Sequence, residues 1–217
     1  MKTIIITGVS RGIGREFAIQ YAGAGNRVFG VLRNPEGHED LEALGITLIQ
    51  GDVTDESLTR RITDILGDQQ LDLCINNAGI LPAPQPDGFP STEDLMRSFA
   101  TNVTGPMNMI RGLRARMKSG GKFVMLSSSL ASITDAGHDY ATAYSVSKAA
   151  LNMLGRKIQH RIPEPTVILM DPGWVKTDMG GAGAALEIPD SVSSMIGTIE
   201  ATDSFAFLDY AGNSKPW

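Results

Sequence analysis

Cysteine is almost missing from this 217-residue sequence: Cys74 stands alone, so no disulfide can close within the chain. Histidine is nearly as scarce, and His38, His138 and His160 are spaced too far apart to suggest a metal site. There is no excess of basic residues. Nineteen Lys and Arg against 24 Asp and Glu leave a formal net charge of −5, which offers no electrostatic footprint for nucleic acid. No apolar run is long enough to span a bilayer. The opening "MKTIIITGVS" holds one Lys and an apolar run too short for a secretory core, and it passes at once into Gly-rich sequence. The expectation is a cytoplasmic protein with neither nucleic acid nor membrane as a partner. Internal repeats, low-complexity segments and linkers are absent too. The length suits a single domain over residues 1–217, large enough to bury a core without staples.

What is present is an alternation. "TIIIT" (3–7) is a short β-branched run ended by Gly8, and it reads as a buried strand. Ile13, Phe17 and Tyr21 then recur at helical spacing, with Gly25 placed to close the helix. Further strands are predicted at 27–32, 46–52, 71–76, 122–126, 166–170 and 205–210, with helices at 57–66, 92–118 and 143–161. Segments 34–40 and 82–90 read as surface loops. Strands alternating with helices imply right-handed crossovers and a parallel sheet covered on both faces. The strands are apolar throughout rather than alternating, which fits that burial. The expected fold class is α/β, a doubly wound parallel sheet of Rossmann type, with ligand bound at the carboxyl ends of the strands.

"TGVSRGIG" sets Gly8, Gly12 and Gly14 between the first strand and the first helix. A helix N-terminus presents free N–H groups and a positive dipole end, and glycines let the backbone approach a pyrophosphate. "YATAYSVSK" (140–148) raises a second question, because three serines, Ser127, Ser128 and Ser129, lie just upstream. Residues four apart share a helix face, so Tyr144 neighbours Lys148, whereas Tyr140 has no cation at that spacing. A free tyrosine, with pKa of about 10, is a weak acid at neutral pH. An adjacent ammonium favours the phenolate, which makes Tyr144 the candidate acid/base and Lys148 the residue that tunes it. The second strand ends "VFGVLRNP". Leu32 and Arg33 stand where an acid would bind a ribose 2′-hydroxyl, so Arg33, aided by Arg11, suits a 2′-phosphate and hence NADP(H).

The glycine spacing T-G-x-x-x-G-x-G, "GDV" at 51–53, "NNAG" at 76–79, Asn102 in "NVTG", the serine cluster, Tyr-x-x-x-Lys at 144–148 and "PGWVKTDM" at 172–179 follow one another in order. Together they resemble the short-chain dehydrogenase/reductase family over essentially the whole chain. The lean length and "DPGWVKTDMGG" are most similar to its C-factor and sniffer-like carbonyl reductase branch. The resemblance implies an NADPH-dependent enzyme that moves a hydride between nicotinamide and a carbonyl or secondary alcohol. In it Ser128, the second serine after the strand, polarises the carbonyl, and Asn102 helps hold a water that links Lys148 to solvent. It also implies that Asp52 and Val53 flank the adenine, that Asn76 braces the sheet beside the cofactor, and that the Ala78–Gly79 backbone meets the ribose. Ser10, Ile13, Pro172, Gly173, Val175 and Thr177 complete the implied cofactor contacts, and Lys148 also holds the nicotinamide ribose. Ser127 and Ser129 read as turn caps. Trp174 and Met179 either line the substrate pocket or only pack the loop. "ITDAGHD" (133–139) is longer than the commonest family spacing and matches an extension of sniffer-like members. Relatives often associate through the helices near 92–118 and 143–161, which implies a homodimer or homotetramer. The competing class is a nucleotide-binding signalling protein of C-factor type that acts by partner binding. A complete Asn-Ser-Tyr-Lys set argues for catalysis instead, because binding alone needs only the glycine loop. An extended epimerase or dehydratase is disfavoured by the glycine spacing.

Overall fold

Ile4, Ile5 and Ile6 are all fully buried, yet they face two different cores. Successive side chains on a strand point to opposite faces, so such a run needs cover on both. In a computed structural model, which describes every residue except Pro84, Pro86, His138 and Asp139, these isoleucines form β1 (Thr3–Thr7), a strand in a seven-stranded parallel sheet. The others are β2 (Arg27–Leu32), β3 (Thr47–Gln50), β4 (Leu71–Asn76), β5 (Met117–Leu126), β6 (Thr166–Asp171) and β7 (Ala206–Asp209), in spatial order 3-2-1-4-5-6-7.

Helices cover each face. Ile5, Cys74, Phe123 and Val167 pack toward α3 (Leu58–Leu66), α5 (Gly105–Leu113) and α6 (Thr142–Arg161). Ile4, Ile6, Val124 and Ile168 pack toward α1 (Gly12–Gly23), α2 (Glu39–Ala43) and α7 (Ile188–Ala201). The chain leaves β1 for β2 on one side and reaches β4 on the other. The strand order therefore reverses beside β1, and a crevice opens at the carboxyl ends of β1 and β4.

The segment predicted as one helix over 92–118 is broken. Helix α4 (Thr92–Phe99) runs into a π-helical turn at Ala100–Thr104 before α5 resumes. Pro106 explains the widening, since it has no N–H for the carbonyl four residues back, that of Asn102. α5 ends at Leu113, and Met117 and Lys118 already belong to β5, where Lys118 Nζ reaches the Asp72 carboxylate at 2.7 Å. Strand β3 is shorter than the predicted 46–52. Part of the 34–40 loop is the start of α2, and α7 forms where no helix is predicted. His138, in the 133–139 extension, lies outside the described residues.

Candidate active site

The turn after β1 carries backbone that side chains resist. Gly8 and Gly12 have φ of +77° and +58°, in the left-handed region. Gly14 has ordinary φ but no room: a Cβ there would lie 2.2 Å from Asn77 Nδ2 and 2.4 Å from the Gly8 carbonyl oxygen. That Asn77 amide donates to the carbonyls of Thr7 and Gly8 at 2.9 and 3.2 Å. Thr7 Oγ1 accepts the N–H groups of Asn77 and Ala78 in return. The β1 and β4 turns are thus stitched together. The first turn of α1 has no side-chain cap and no acidic residue, so its N–H groups and positive dipole end stay available.

This turn forms one wall of a cavity of about 680 Å³. Gly8, Ser10, Arg11, Gly12, Ile13, Arg33, Asp52, Val53, Ala78, Gly79, Tyr144, Lys148, Pro172 and Thr177 all line it. Six of the residues expected at the site do not. Gly14 packs behind the turn, and Asn76 is buried in the sheet, donating to the Val124 carbonyl at 3.4 Å; the residue at the cavity wall is its neighbour Asn77. Gly173 (φ +76°) holds the turn after β6 from behind, where a Cβ would strike Leu186 and Tyr210. Val175 is buried beside Leu186. Asn102, fully buried on the π-turn, bonds both polar atoms of Ile80 at 2.8 and 3.0 Å and donates to Ser147 Oγ at 2.9 Å. Ser128 is half-buried and meets Tyr144 through a side-chain hydrogen bond.

The serines take different roles from those expected of their order alone. Ser127 is buried and donates to Asn152 Oδ1 at 2.6 Å, so it caps no turn. Ser129 is exposed, and its N–H reaches the Asp171 carboxylate. Ser128 is the residue that caps the short 3-10 turn Ser129–Ala131, accepting the Leu130 N–H at 3.1 Å, and its side chain also hydrogen-bonds Tyr144. Tyr140 is 53% exposed, against 9% for Tyr144. The helix spacing thus brings Tyr144 and Lys148 together as expected: Lys148 Nζ lies 5.4 Å from the Tyr144 ring centre and donates to the Leu126 carbonyl at 2.6 Å.

Their electrostatics differ from the expectation of an ammonium that lowers the phenol. Burial pushes Tyr144 up to about 12; the Ser128 hydrogen bond opposes this and the Asp171 carboxylate adds to it. Burial alone pushes Lys148 down to about 8. Desolvation outweighs the pair's attraction, so at neutral pH the free site holds a neutral phenol beside an ammonium.

Three further residues were missed in the sequence. Asp178 holds Arg11 in an ion pair at 2.8 Å across the cavity mouth, with both side chains exposed. Asp171, at the end of β6, is buried; it accepts the Gly173 N–H at 3.1 Å and lies 3.8 Å from Lys215 Nζ. Asn77 was masked by its twin in "NNAG". An acid at a strand end and a second Asn are signals the sequence carries, but only contacts give them meaning. Arg33 is exposed on the cavity wall and, among the described residues, has no carboxylate partner. Met179 also lines the cavity, while Trp174 stays on the loop, donating through Nε1 to the Gly180 carbonyl at 2.8 Å.

The short chain dehydrogenase profile matches residues 2–185. The chain belongs to the short-chain dehydrogenase family. Among curated relatives, C-signal of Myxococcus xanthus is 40% identical over 68% of this chain and 93% of its own. Among solved structures, a short-chain dehydrogenase/reductase from Burkholderia multivorans with bound NADP superposes with a TM-score of 0.91 at 30% identity, covering 100% of this chain and 99% of that one. Carbonyl reductase Sniffer of D. melanogaster superposes at 0.89 with 27% identity, covering 100% of both. Among the described residues of this family member, no helix is long and apolar enough to cross a membrane.

Proposed function

We propose that this chain is a single-domain NADPH-dependent carbonyl reductase in which Tyr144 is the general acid. The observation that carries the reading is the Tyr144–Lys148 pair at the wall of the same cavity as the uncapped glycine turn, with Ser128 hydrogen-bonded to Tyr144. The residues fit the cofactor. The α1 N-terminus, with Gly8 and Gly12 in backbone no side chain favours, suits a pyrophosphate. Arg33, with no acid opposing it, suits a 2′-phosphate, and relatives from several organisms were solved with NADP or NADPH.

When bound, NADPH supplies the hydride to the carbonyl carbon. The chain's own groups then handle the oxygen. The hydroxyls of Ser128 and Tyr144 donate to it and stabilise its developing charge. Tyr144 Oη delivers its proton, and its high pKa keeps that proton in place until the oxygen becomes basic. The Lys148 ammonium, 5.4 Å from the ring centre, steadies the phenolate left behind, and Asn102 fixes the π-turn that shapes the wall through Ile80 and Ser147. The substrate is a small carbonyl compound or, in reverse, an alcohol. Exposed Met96, Phe99 and Val146 on α4 and α6 suit association of two or four copies in a water-soluble, cytoplasmic enzyme. The test is turnover of a carbonyl panel followed by NADPH absorbance. Wild type should turn over at least one member and Tyr144→Phe none; equal rates for the two would overturn the reading.

A further inference from the structure

We propose that the pocket between α6, β7 and the residues around Trp217 is a second ligand site, which takes a small apolar carboxylate. It encloses about 400 Å³ and is separate from the large cavity, with no residue in common. Its walls are Ala131, Ile133, Ala149, Met153, Phe205 and Trp217. An apolar cavity of about 150 Å³ accommodates benzene, so this one suits a body of about two rings. Ile133, Met153 and Trp217 are 79%, 60% and 51% exposed, a cluster of apolar surface that water covers poorly.

Two polar groups on this pocket lack partners. Asn152 is 3% exposed and uses its Oδ1 to accept from Ser127, but its buried Nδ2 has no hydrogen-bond partner among the described residues. Arg156, one turn further along α6, is exposed with its guanidinium 5.2 Å from the Phe205 ring centre, and it has no carboxylate partner among the described residues. Stacking on a ring leaves the edge of a guanidinium free for an anion. The Trp217 carbonyl oxygen is turned away, accepting from the N–H and hydroxyl of Thr134 at 3.0 and 2.7 Å. Apolar walls beside an idle, exposed guanidinium together recognise an apolar body that ends in a carboxylate. The same Asn152 bonds Ser127, which lines the large cavity, so an occupant would sit one hydrogen bond from that cavity's wall.

Trp217 supplies the readout. Trp174→Phe removes the only other tryptophan. That protein, saturated with NADP⁺, is titrated with 4-cyclohexylbutanoate and, separately, with its neutral primary amide, following Trp217 emission with calorimetry in parallel. The expected result is saturable binding of the acid, with the amide at least tenfold weaker, the scale of one charge-assisted hydrogen bond. Adding Arg156→Gln, an exposed change that spares the fold, should weaken the acid about tenfold and leave the amide unchanged. Equal affinity for acid and amide, indifference of the acid to Arg156→Gln, or an emission change that follows protein concentration rather than ligand would each overturn the proposal. The last would mean that a second copy covers the pocket.

Discussion

Replacing Arg33 by Asp should remove the preference for NADPH, and the structure sets how far. A charge-assisted hydrogen bond contributes about 1.5–3 kcal/mol. At about 1.4 kcal/mol per tenfold, Arg33 alone gives a preference of roughly 10- to 100-fold. The sequence suggests a second contact from Arg11, but that guanidinium is held by Asp178 at 2.8 Å. Both groups are more than 70% exposed, with side chains 76% and 72% accessible, and such a pair holds with no more than about 1 kcal/mol. A 2′-phosphate can therefore draw Arg11 away, but its contribution is reduced by what the ion pair held. Wild type should give a ratio of kcat/KM with NADPH to that with NADH of about ten or more. Arg33→Asp loses the contact and adds repulsion, so the ratio should fall by about 100-fold or more and drop below one. Asp178→Asn frees Arg11 and should raise the ratio, by up to about fivefold. The assay is the pair of kcat/KM values on any accepted carbonyl. A wild-type ratio below one, or one that Arg33→Asp leaves unchanged, would refute the cofactor reasoning; a fall in the ratio with Asp178→Asn would refute the competition.

Ser128→Ala should lower kcat by about a hundredfold, the scale of losing one oxyanion donor, while Ser129→Ala, at an exposed residue whose N–H rather than its hydroxyl reaches Asp171, should change it little. Steady-state rates decide this, and a larger loss at Ser129 would undo the register. Lys148→Met should abolish turnover yet stabilise the free protein. Its folded pKa of about 8 lies below the ordinary 10.5, so burial costs about 3 kcal/mol below pH 8, offset by about 1–3 kcal/mol for the stranded Leu126 carbonyl. Between about pH 8 and 9 the unfolded chain holds a proton at this lysine that the folded one has released, so wild-type stability should rise with pH; above about 9 the buried Cys74 thiol, pushed up by burial, opposes the trend, and above 10 Tyr144, raised to about 12, does so as well. Denaturant titrations at about pH 7 and 9 check both; a slope unchanged in Lys148→Met sinks the argument. Gly14→Ala places a methyl 2.4 Å from the Gly8 carbonyl oxygen and should lose several kcal/mol of stability or fail to fold, as thermal melts would reveal. Full stability of that variant would mean that the strand and helix can part.

Much of the site was legible because its signals are local. The glycine turn is demanded by backbone angles at Gly8 and Gly12, and Tyr144 meets Lys148 because four residues make about one helical turn. The sheet was legible as well, since apolar runs such as Ile4–Ile6 can be satisfied only between two layers. Other features have no local signal. α7 was missed, although Val192, Met195 and Ile199 fall at helical spacing, because its role comes from the sheet face it covers. The break at Asn102 follows from a proline four residues on, but its use, holding Ile80 and Ser147 from a buried π-turn, depends on elements far away in the chain. The sequence puts an ammonium beside a phenol, and that juxtaposition alone suggests a lowered pKa. Only the packed structure decides how much water is removed from both, and there desolvation exceeds the attraction and reverses the sign. Spacing along the chain determines which groups meet; the surrounding core determines the dielectric in which they do so.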